Sequence, residues 1–285
     1  MSNYTEVDAA ADDASGTRSG SGTSGAVSSS GGLRRDVDLL RALASPEARR
    51  AGGLGVSRLA EITGREKSQV SRALRALATV GLVARDPENR RYQIGWQLFA
   101  LTAGSEEMHM LEEARGPMDD LLTQIDESVH LCVLHGTDVM TLVTQFPHGR
   151  RAPGLTAPVV PAHRTSAGRV LCSDHTEKQL ALRFADVDLA SEHRISRVHS
   201  MSDLSAEVAR IRQQGYATVD EEWEIGLVGA SAPVRNGTGH VVAALNVSAR
   251  KERVADLDAL GRTTARAATA LSHALGWAAR PYGAS

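Results

Sequence analysis

The fold of the first half of this 285-residue chain is decided by residues 56–95, VSRLAEITGREKSQVSRALRALATVGLVARDPENRRYQIG. Apolar residues at helical spacing predict a short helix over 56–63. Gly64 suits the left-handed backbone conformation that follows a helix end. A turn over 65–67 then leads into a second helical pattern over 68–80. Two short helices joined by a tight turn predict a helix-turn-helix unit.

The second of these helices separates apolar from polar side chains. At about 100° per residue, Val70, Leu74 and Leu77 form one apolar stripe. The other face and the helix start carry the residues that we expect to meet DNA: Lys67, Ser68, Gln69, Ser71, Arg72 and Arg75. In such a unit the N-terminal residues of the second helix reach base edges, where Arg suits guanine, Gln suits adenine and Ser bonds to either or to phosphate. Lys67 and Arg75 are better placed for the phosphate backbone.

The residues after the second helix predict a β-hairpin. A strand over 81–85, a turn over 86–89 and a returning strand over 90–94 follow one another directly. Arg90 and Arg91 lie at the tip and flank of this hairpin. An arginine-bearing hairpin in this position is the wing of a winged helix. An ordinary solvated helix surface is the alternative for the polar face, but the turn, the face and the wing together favour DNA binding.

Charge supports this interpretation once it is divided along the chain. The formal net charge is −2, which by itself argues against a nucleic-acid partner. Residues 33–95, however, contain thirteen Arg and Lys against seven Asp and Glu, a net of +6, whereas residues 1–32 carry −3 and residues 96–285 carry −5. A small basic unit attached to a larger acidic one suits DNA, because Lys and Arg neutralise phosphates.

The flanks of the basic unit suggest where it begins and where the protein resides. Residues 1–32 are rich in Gly and Ser, so we expect a disordered tail. A first helix over 33–44 precedes a break at 45–55, where one proline and three glycines stand. No run approaches the roughly 20 apolar residues of a membrane span, and the acidic start does not resemble a signal peptide. Only two cysteines, Cys132 and Cys172, are present, so we expect a cytoplasmic protein.

The second half predicts an α+β domain. We expect a linker helix over 96–104, one larger domain over 105–277 and a flexible tail over 278–285. The predicted elements are helices at 106–126, 166–172, 180–184, 202–214 and 253–276, and strands at 129–134, 139–144, 227–235 and 240–248. Asn236-Gly237-Thr238-Gly239 is a strong hairpin turn. Strand pairs covered by helices on one side suit a GAF-like sensor domain.

Other chemistry finds little support in the sequence. His130 and Cys132 would share one face of a strand while His135 points away, which is a poor arrangement for a single metal ion. Motifs for a nucleophilic enzyme and for phosphate- or dinucleotide-binding loops are absent from the sequence. The carboxylate run at 220–224 is more typical of a solvated loop or the rim of a binding site. We therefore expect no catalytic residue, no metal and no cofactor.

A series of short motifs runs along the chain: LAEITG at 59–64, KSQVSR at 67–72, YQIG at 92–95, QGYATVDEE at 214–222, APV at 232–234 and GHVVAALNVS at 239–248. In order and spacing this series resembles the IclR-type bacterial transcriptional regulators. Any one of the first three motifs could belong to a generic winged helix, whereas the last three make the resemblance specific. It covers about residues 33–277.

The resemblance implies that residues 105–277 form a GAF-like effector-binding and dimerisation domain. Its ligand cavity would lie between the sheet and the loops at 165–168 and 220–222. The matching positions are Arg164, Ser166, Ala167, Asp220, Gly229, Asn246 and Ser248. Backbone N–H groups at a helix start suit a carboxylate, which many effectors of the family carry. Gly229 stands where the family often has Cys, Asn246 where Ser is frequent, and Arg164 where a small residue is usual.

The resemblance also implies the function: a sequence-specific transcriptional regulator, repressor or activator, whose operator binding is modulated by a small-molecule, carboxylate-bearing effector. A homodimer, or a dimer of dimers, would bind a pseudo-palindromic double-stranded operator, since a two-fold protein meets two half-sites. We expect no membrane partner. Two alternatives stay open. The sensor domain could have lost its ligand and act only in assembly, and, more distantly, the α+β half could be an enzyme.

Overall fold

The computed structural model describes residues 28–147, 159–190 and 195–278. The described residues form two compact units, which divide between residues 103 and 104. The predicted N-terminal tail therefore lies outside the described residues except for its last five, and so does the predicted C-terminal tail except for its first residue. Within the described ranges, no helix is long and apolar enough to cross a bilayer.

The first unit packs short helices against a small hairpin. Its elements are α1 (Ser28–Leu43), α2 (Pro46–Ala51), α3 (Val56–Thr63), α4 (Lys67–Thr79), β1 (Val83–Arg85), β2 (Tyr92–Ile94) and α5 (Trp96–Thr102). Leu39, Leu59 and Leu74 are fully buried where α1, α3 and α4 meet. Burying such a side chain contributes roughly 1.5–3 kcal/mol. The apolar stripe found in the sequence therefore holds α4 in place and leaves its polar face outward.

Two segments of the first unit differ from the sequence prediction. Helix α1 begins at Ser28, so it includes five residues that were assigned to the disordered tail. The predicted break at 45–55 was wrong, because it contains helix α2. Three local signals set the ends of α2: Ser45 as the N-cap, Pro46 in the first turn and Gly52, at φ 63°, after the last turn. Each is an ordinary helix-end preference.

Strands β1 and β2 form the predicted hairpin in a shortened version. They pair antiparallel, with Arg85 opposite Tyr92. Tyr92 also exchanges two backbone hydrogen bonds, of 2.8 and 2.9 Å, with Leu54 on its other side. Arg90 lies in the connecting turn at φ 58° rather than in the returning strand. The wing is therefore tied to the segment between α2 and α3, and its turn is longer than the sequence suggested.

Among the described residues, the second unit is built on a six-stranded antiparallel sheet in the order β5-β4-β3-β8-β7-β6. The strands are β3 (Ser128–His135), β4 (Asp138–Gln145), β5 (Val159–Pro161), β6 (Ala217–Asp220), β7 (Leu227–Arg235) and β8 (Val241–Arg250). The helices are α6 (Glu106–Glu113), α7 (Arg115–Ile125), α8 (Ser166–Leu171), α9 (Glu177–Arg183), α10 (Met201–Gln214) and α11 (Leu257–Ala274). This is the α+β architecture that the sequence predicted.

Helices cover both faces of this sheet, not one face as the sequence analysis expected. On one side, Met118 of α7 and Leu271 of α11 pack against Leu245 of β8. On the other side, Val170 of α8 and Val208 of α10 belong to a second buried cluster with the opposite face. Seven consecutive residues of β8 are buried. Continuous burial is typical of a strand that is covered on both faces, so the apolar run of β8 was the signal for two layers of helices.

An irregularity in the pairing of β3 with β4 decides which side chains share a face. His130 pairs with Thr144 and Cys132 with Thr141, so β4 contains one residue more than β3 between the two pairs. An extra residue of this kind is a β-bulge. Side chains two apart in a strand lie on the same face. The bulge therefore places Thr141 and Thr144 together on the face that His130 and Cys132 occupy.

Candidate functional site

The exposed face of α4 carries the residues predicted to meet DNA. Its exposed members are Lys67, Ser68, Gln69, Arg72 and Arg75, and Ser71 is half-buried. The helix follows a turn in which Gly64 has φ 64°. In the described part of the chain, no side chain caps the first turn of α4. Uncapped N–H groups at a helix start suit a phosphate oxygen.

The ion pairs of the first unit leave this face free. Carboxylates elsewhere in the unit are held by arginines at 2.7–3.9 Å: Glu47 and Glu61 by Arg58, Asp36 by Arg65 and Asp38 by Arg41. Lys67, Arg72 and Arg75 have no acidic partner among the residues that the structure describes. Their positive charges are therefore available to phosphates and bases, which the sequence alone could not show.

The two predicted wing arginines differ in their surroundings. Arg90 is exposed in the turn, and its backbone N–H donates to the carbonyl of Asp86 at 3.0 Å. The guanidinium of Arg91 donates to the carbonyl of Ala51 and so fastens the wing to the end of α2. A guanidinium has five N–H donors, so Arg91 keeps donors for a phosphate after making this bond. Both arginines are exposed.

The second unit contains a cavity of about 50 Å³. Its polar lining is Thr141, Thr165, Ser166, Asn246 and Ser248, and its other lining residues are Cys132, Val139, Val160, Ala167, Val219, Trp223, Leu227, Val228 and Gly229. The structure thus brings together five of the seven predicted effector positions: Ser166, Ala167, Gly229, Asn246 and Ser248. It places Arg164 and Asp220 outside the lining.

Asp220 and Arg164 have other partners. The Asp220 carboxylate lies 2.8 Å from Nζ of Lys251. Since Val219 lines the cavity, strand alternation sends the next side chain of β6 to the opposite face. The guanidinium carbon of Arg164 lies 5.0 Å from the ring centroid of Trp223, and its Nε is buried without a hydrogen-bond partner in the described structure. Arg164 therefore contacts a residue of the cavity wall rather than the cavity itself.

Ser166 and Asn246 belong to a buried hydrogen-bond cluster in that wall. Ser166 Oγ lies 2.8 Å from Ser231 Oγ, and Asn246 Nδ2 donates to Ser231 Oγ at 2.8 Å. A Cβ on Gly229 would lie 3.2 Å from Ser166 Oγ, so the glycine makes room for this hydroxyl. Sequence reasoning missed Ser231. Ser231 lies opposite Asn246 because the register shifts between Val234 and Arg235, so the turn at 236–239 alone would not have revealed this pairing.

A second polar chain passes through His130. Its Nε2 lies 2.8 Å from Ser248 Oγ and its Nδ1 lies 2.9 Å from Thr144 Oγ1. Burial lowers the pKa of His130 to about 4. The imidazole is therefore neutral at pH 7 and serves as donor at one nitrogen and acceptor at the other. The sequence predicts no metal site at His130, and the structure uses this side chain to orient Ser248.

The start of α8 borders the cavity, where a carboxylate was expected. Thr165 Oγ1 accepts a hydrogen bond from the Gly168 N–H at 3.1 Å. Gly168 packs so closely that a Cβ there would lie 2.1 Å from the carbonyl oxygen of Ala162. One of the N–H groups expected to receive the carboxylate is thus already bonded. The helix has six residues, all of them buried.

Two protein-family models match the chain. Residues 32–87 match the model described as the IclR helix-turn-helix domain. Residues 103–273 match the model described as the C-terminal part of the bacterial transcriptional regulator IclR. The two matches fall on the two compact units in the order that the sequence motifs indicated.

Individual relatives agree with these matches. The glycerol operon regulatory protein of Streptomyces coelicolor is 33% identical over 230 residues, which cover 78% of this chain and 85% of that protein. The HTH-type transcriptional regulator XynR of Escherichia coli is 27% identical over 240 residues, which cover 79% of this chain and 91% of that protein. A crystal structure of an IclR homologue from Microbacterium hydrocarbonoxydans, complexed with 4-hydroxybenzoate, shares the fold with a TM-score of 0.70. Its sequence is 19% identical, and the match covers 86% of this chain and 98% of the homologue.

Proposed function

The chain belongs to the IclR family of bacterial transcriptional regulators, and we propose that it binds a pseudo-palindromic operator as a homodimer through α4 and the wing. As a member of this family it is a DNA-binding regulator and not an enzyme. One observation carries the operator proposal. Lys67, Arg72 and Arg75 lie on the exposed face of α4 without an acidic partner in the described part of the chain.

The residues of this surface divide by their position on the helix. We assign base contacts to the residues nearest the helix start and along its exposed face: Ser68, Gln69, Ser71 and Arg72. We assign phosphate contacts to Lys67, Arg75, Arg90 and Arg91. Arg forms bidentate hydrogen bonds to guanine. A phosphate contact positions the protein without selecting a base sequence. Specificity should therefore depend most on Arg72.

We further propose that a small-molecule effector, carrying a carboxylate, occupies the cavity of the second unit. Supporting this are the convergence of Ser166, Asn246 and Ser248 on one concave site, the cation of Arg164 beside its wall, and the 4-hydroxybenzoate in the Microbacterium homologue. A cavity of about 50 Å³ is far below the roughly 300–1,000 Å³ of typical ligand pockets. An aromatic acid would thus require part of the wall to move.

Such an effector regulates operator binding only if it binds one arrangement of the protein more tightly than another. For each effector bound, a tenfold difference in effector affinity between the two arrangements changes the operator affinity by at most tenfold, or about 1.4 kcal/mol. An effector that strengthens operator binding acts as a co-repressor if the protein is a repressor and as a co-activator if it is an activator. An effector that weakens the operator binding of a repressor acts as an inducer. The wall of the cavity is where this difference would arise.

A gel mobility-shift titration tests the operator proposal. The full-length protein is titrated against the DNA upstream of its own gene and against scrambled DNA of equal length and composition. We expect selective binding that weakens between 50 and 200 mM salt by about 10³-fold or more, as for proteins with six to ten phosphate contacts. Equal affinity for both DNAs, or binding indifferent to salt, would contradict the proposal.

Thermal melting with a panel of aliphatic carboxylates, aromatic carboxylates and neutral polyols tests the effector proposal. A ligand at 100 times its Kd adds about 2.7 kcal/mol to the stability of the native state. The Ser166→Ala variant should lose this increase, whereas Ser202→Ala, a change of an exposed serine on α10, should keep it. A shift that survives in Ser166→Ala would place the ligand elsewhere. No shift with any member of the panel would favour a second unit that acts only in assembly.

A further inference from the structure

The loop that joins β6 to β7, residues 221–226, forms part of the wall of the effector cavity. We call it the roof loop. Its Trp223 lines the cavity, and the guanidinium of Arg164 lies against the ring with 5.0 Å between its central carbon and the ring centroid. Trp223 is only half-buried, so its ring separates the cavity from solvent. What holds the roof loop therefore decides how closed the cavity is.

The residue before Trp223 is a buried carboxylate. Only 1% of Glu222 is exposed, and none of Arg169, its partner on α8. Arg169 donates from Nη1 to Oε1 at 3.2 Å and from Nη2 to Oε2 at 2.6 Å. Arg197 donates from Nε to Oε1 at 3.0 Å and from its backbone N–H to Oε2 at 2.8 Å. Both oxygens of Glu222 thus accept two hydrogen bonds each, a strong, charge-assisted arrangement.

The two arginines are themselves fixed to the body of the unit. Arg169 Nε donates to the carbonyl of His163 at 2.9 Å, and Arg197 Nη2 donates to the carbonyl of Thr218 at 2.5 Å. Burial raises the pKa of Glu222, but the hydrogen bonds and charges of the arginines outweigh burial and hold the pKa below its usual range. Glu222 is therefore a charged anchor that attaches the roof loop to α8 and to β6.

The neighbouring carboxylates of this motif have different roles. Glu221 faces Lys251 at 2.9 Å on the exposed side of the loop, where Asp220 also pairs with Lys251. Glu224 forms no ion pair or side-chain hydrogen bond in the described structure. Within one short acidic run, only Glu222 points into the protein interior. The acidic motif is thus divided between the buried Glu222 and two half-buried carboxylates, Asp220 and Glu221, that pair with Lys251.

We propose that Glu222 is a positioning residue of the effector site: its carboxylate, held by Arg169 and Arg197, keeps Trp223 closed over the cavity. Trp223 then determines how large a ligand the closed site accepts. This inference rests on the proposed function only in taking the cavity as the effector site. Buried ion pairs contribute little to stability when compared with apolar residues of the same size. Stability alone therefore does not account for this ion pair, whereas positioning of the roof loop does.

The accessibility of Trp223 tests the proposal without any effector. The chain has three tryptophans, so Trp96→Phe and Trp277→Phe leave Trp223 as the sole tryptophan of the full-length protein. Acrylamide quenching of its fluorescence then reports how closed the roof loop is. In this background we expect Glu222→Gln to raise the quenching constant about twofold or more, because the loop opens locally. Glu224→Gln, the same chemical change on the same loop, should leave the constant unchanged.

A second variant covers the case in which Glu222→Gln fails to fold. The side chain of Arg197 is 41% exposed, so Arg197→Gln removes one anchor while the pair between Arg169 and Glu222 stays intact. We expect circular dichroism and a cooperative melt to show a folded protein. Its quenching constant should lie between that of the parent and that of a protein whose roof loop is open. If every folded variant of Glu222 and Arg197 quenches like Glu224→Gln, Glu222 does not position Trp223 and the proposal is overturned.

The role of Trp223 itself is tested with indole as the probe. Trp223→Ala removes the ring from the cavity wall, so indole should bind in its place and raise the melting temperature by about 3 °C at roughly ten times its Kd. Indole should not stabilise the parent or Trp277→Ala, the matched truncation outside the cavity. Equal responses in the two alanine variants would show that Trp223 does not fill this wall. Neither experiment uses operator DNA or an effector. Both therefore test the position of Trp223 even if the operator and effector proposals fail.

Discussion

Replacing Arg72 by alanine is the sharpest perturbation of the DNA-binding surface. The Arg72 side chain is exposed and has no acidic partner among the described residues, so its removal should change the stability of the protein by no more than about 0.5 kcal/mol. A bidentate contact between Arg and guanine is worth about 1–3 kcal/mol. The proposed homodimer would make the contact twice, so operator affinity should fall by about 2–6 kcal/mol, which is roughly thirtyfold at the least.

The assay is fluorescence anisotropy with labelled operator and with scrambled DNA at one fixed salt concentration. Arg72→Ala should weaken operator binding far more than scrambled DNA binding and should relax the preference at one base pair of each half-site. Lys67→Ala should instead weaken both and, in a salt series, lower the salt slope by about 0.9 for each phosphate that the protein no longer neutralises. Arg41→Ala serves as the control, since Arg41 lies on α1 and already pairs with Asp38 at 3.2 Å. An equal loss on both DNAs would make Arg72 a phosphate contact, and no loss at all would refute the assignment of α4 as the recognition helix.

Three further outcomes follow from buried residues. Leu74→Ala should destabilise the first unit by about 2–5 kcal/mol and abolish operator binding at 37 °C, as thermal melting and the mobility shift would show, because Leu74 is fully buried. Because the pKa of His130 is lowered to about 4 in the folded state, the unfolded state binds more protons below pH 6.5. Stability should therefore fall by about 2 kcal/mol between pH 7 and pH 5 in urea titrations, and by clearly less in His130→Gln. Burial raises the pKa of Cys132 and of Cys172 to about 12, so an aromatic disulfide reagent should label neither thiol until the protein unfolds. Rapid labelling of the native protein at pH 7 would contradict this assignment.

The helix-turn-helix could be predicted from sequence because its determinants are local. The spacing of Val70, Leu74 and Leu77 fixes which face of α4 is buried, and Gly64 fixes where α3 ends. The same kinds of local signal, at Ser45 and Gly52, mark the ends of α2, but the proline and glycines around this helix are equally typical of a loop. Local rules thus predict most of the first unit and leave this short helix ambiguous.

The site in the second unit could be predicted only in part, because it is assembled from distant segments. Positions on regular strands, such as Asn246 and Ser248, follow from alternation once the motif is aligned. Loop positions do not. Nothing in the sequence distinguishes the buried Glu222 from the half-buried Glu221, because the difference depends on Arg169 and Arg197 being brought to the loop by other parts of the fold.

The bulge in β4 had no sequence signal either, although it determines part of the site. It places Thr141 at the cavity and Thr144 against His130, on a single face. A regular strand would send these two side chains to opposite faces. The polar groups of the site therefore depend on one extra residue whose position only the paired structure reveals.

The order of strands in the second unit also bears on how the protein behaves at high concentration. One edge of the sheet is β6, which has four residues, whereas the four inner strands have eight to ten. A short edge strand offers few unpaired N–H and carbonyl groups to the sheet of another molecule. Aggregates that extend the sheet through its β6 edge should therefore be slow to form, even where the protein is abundant.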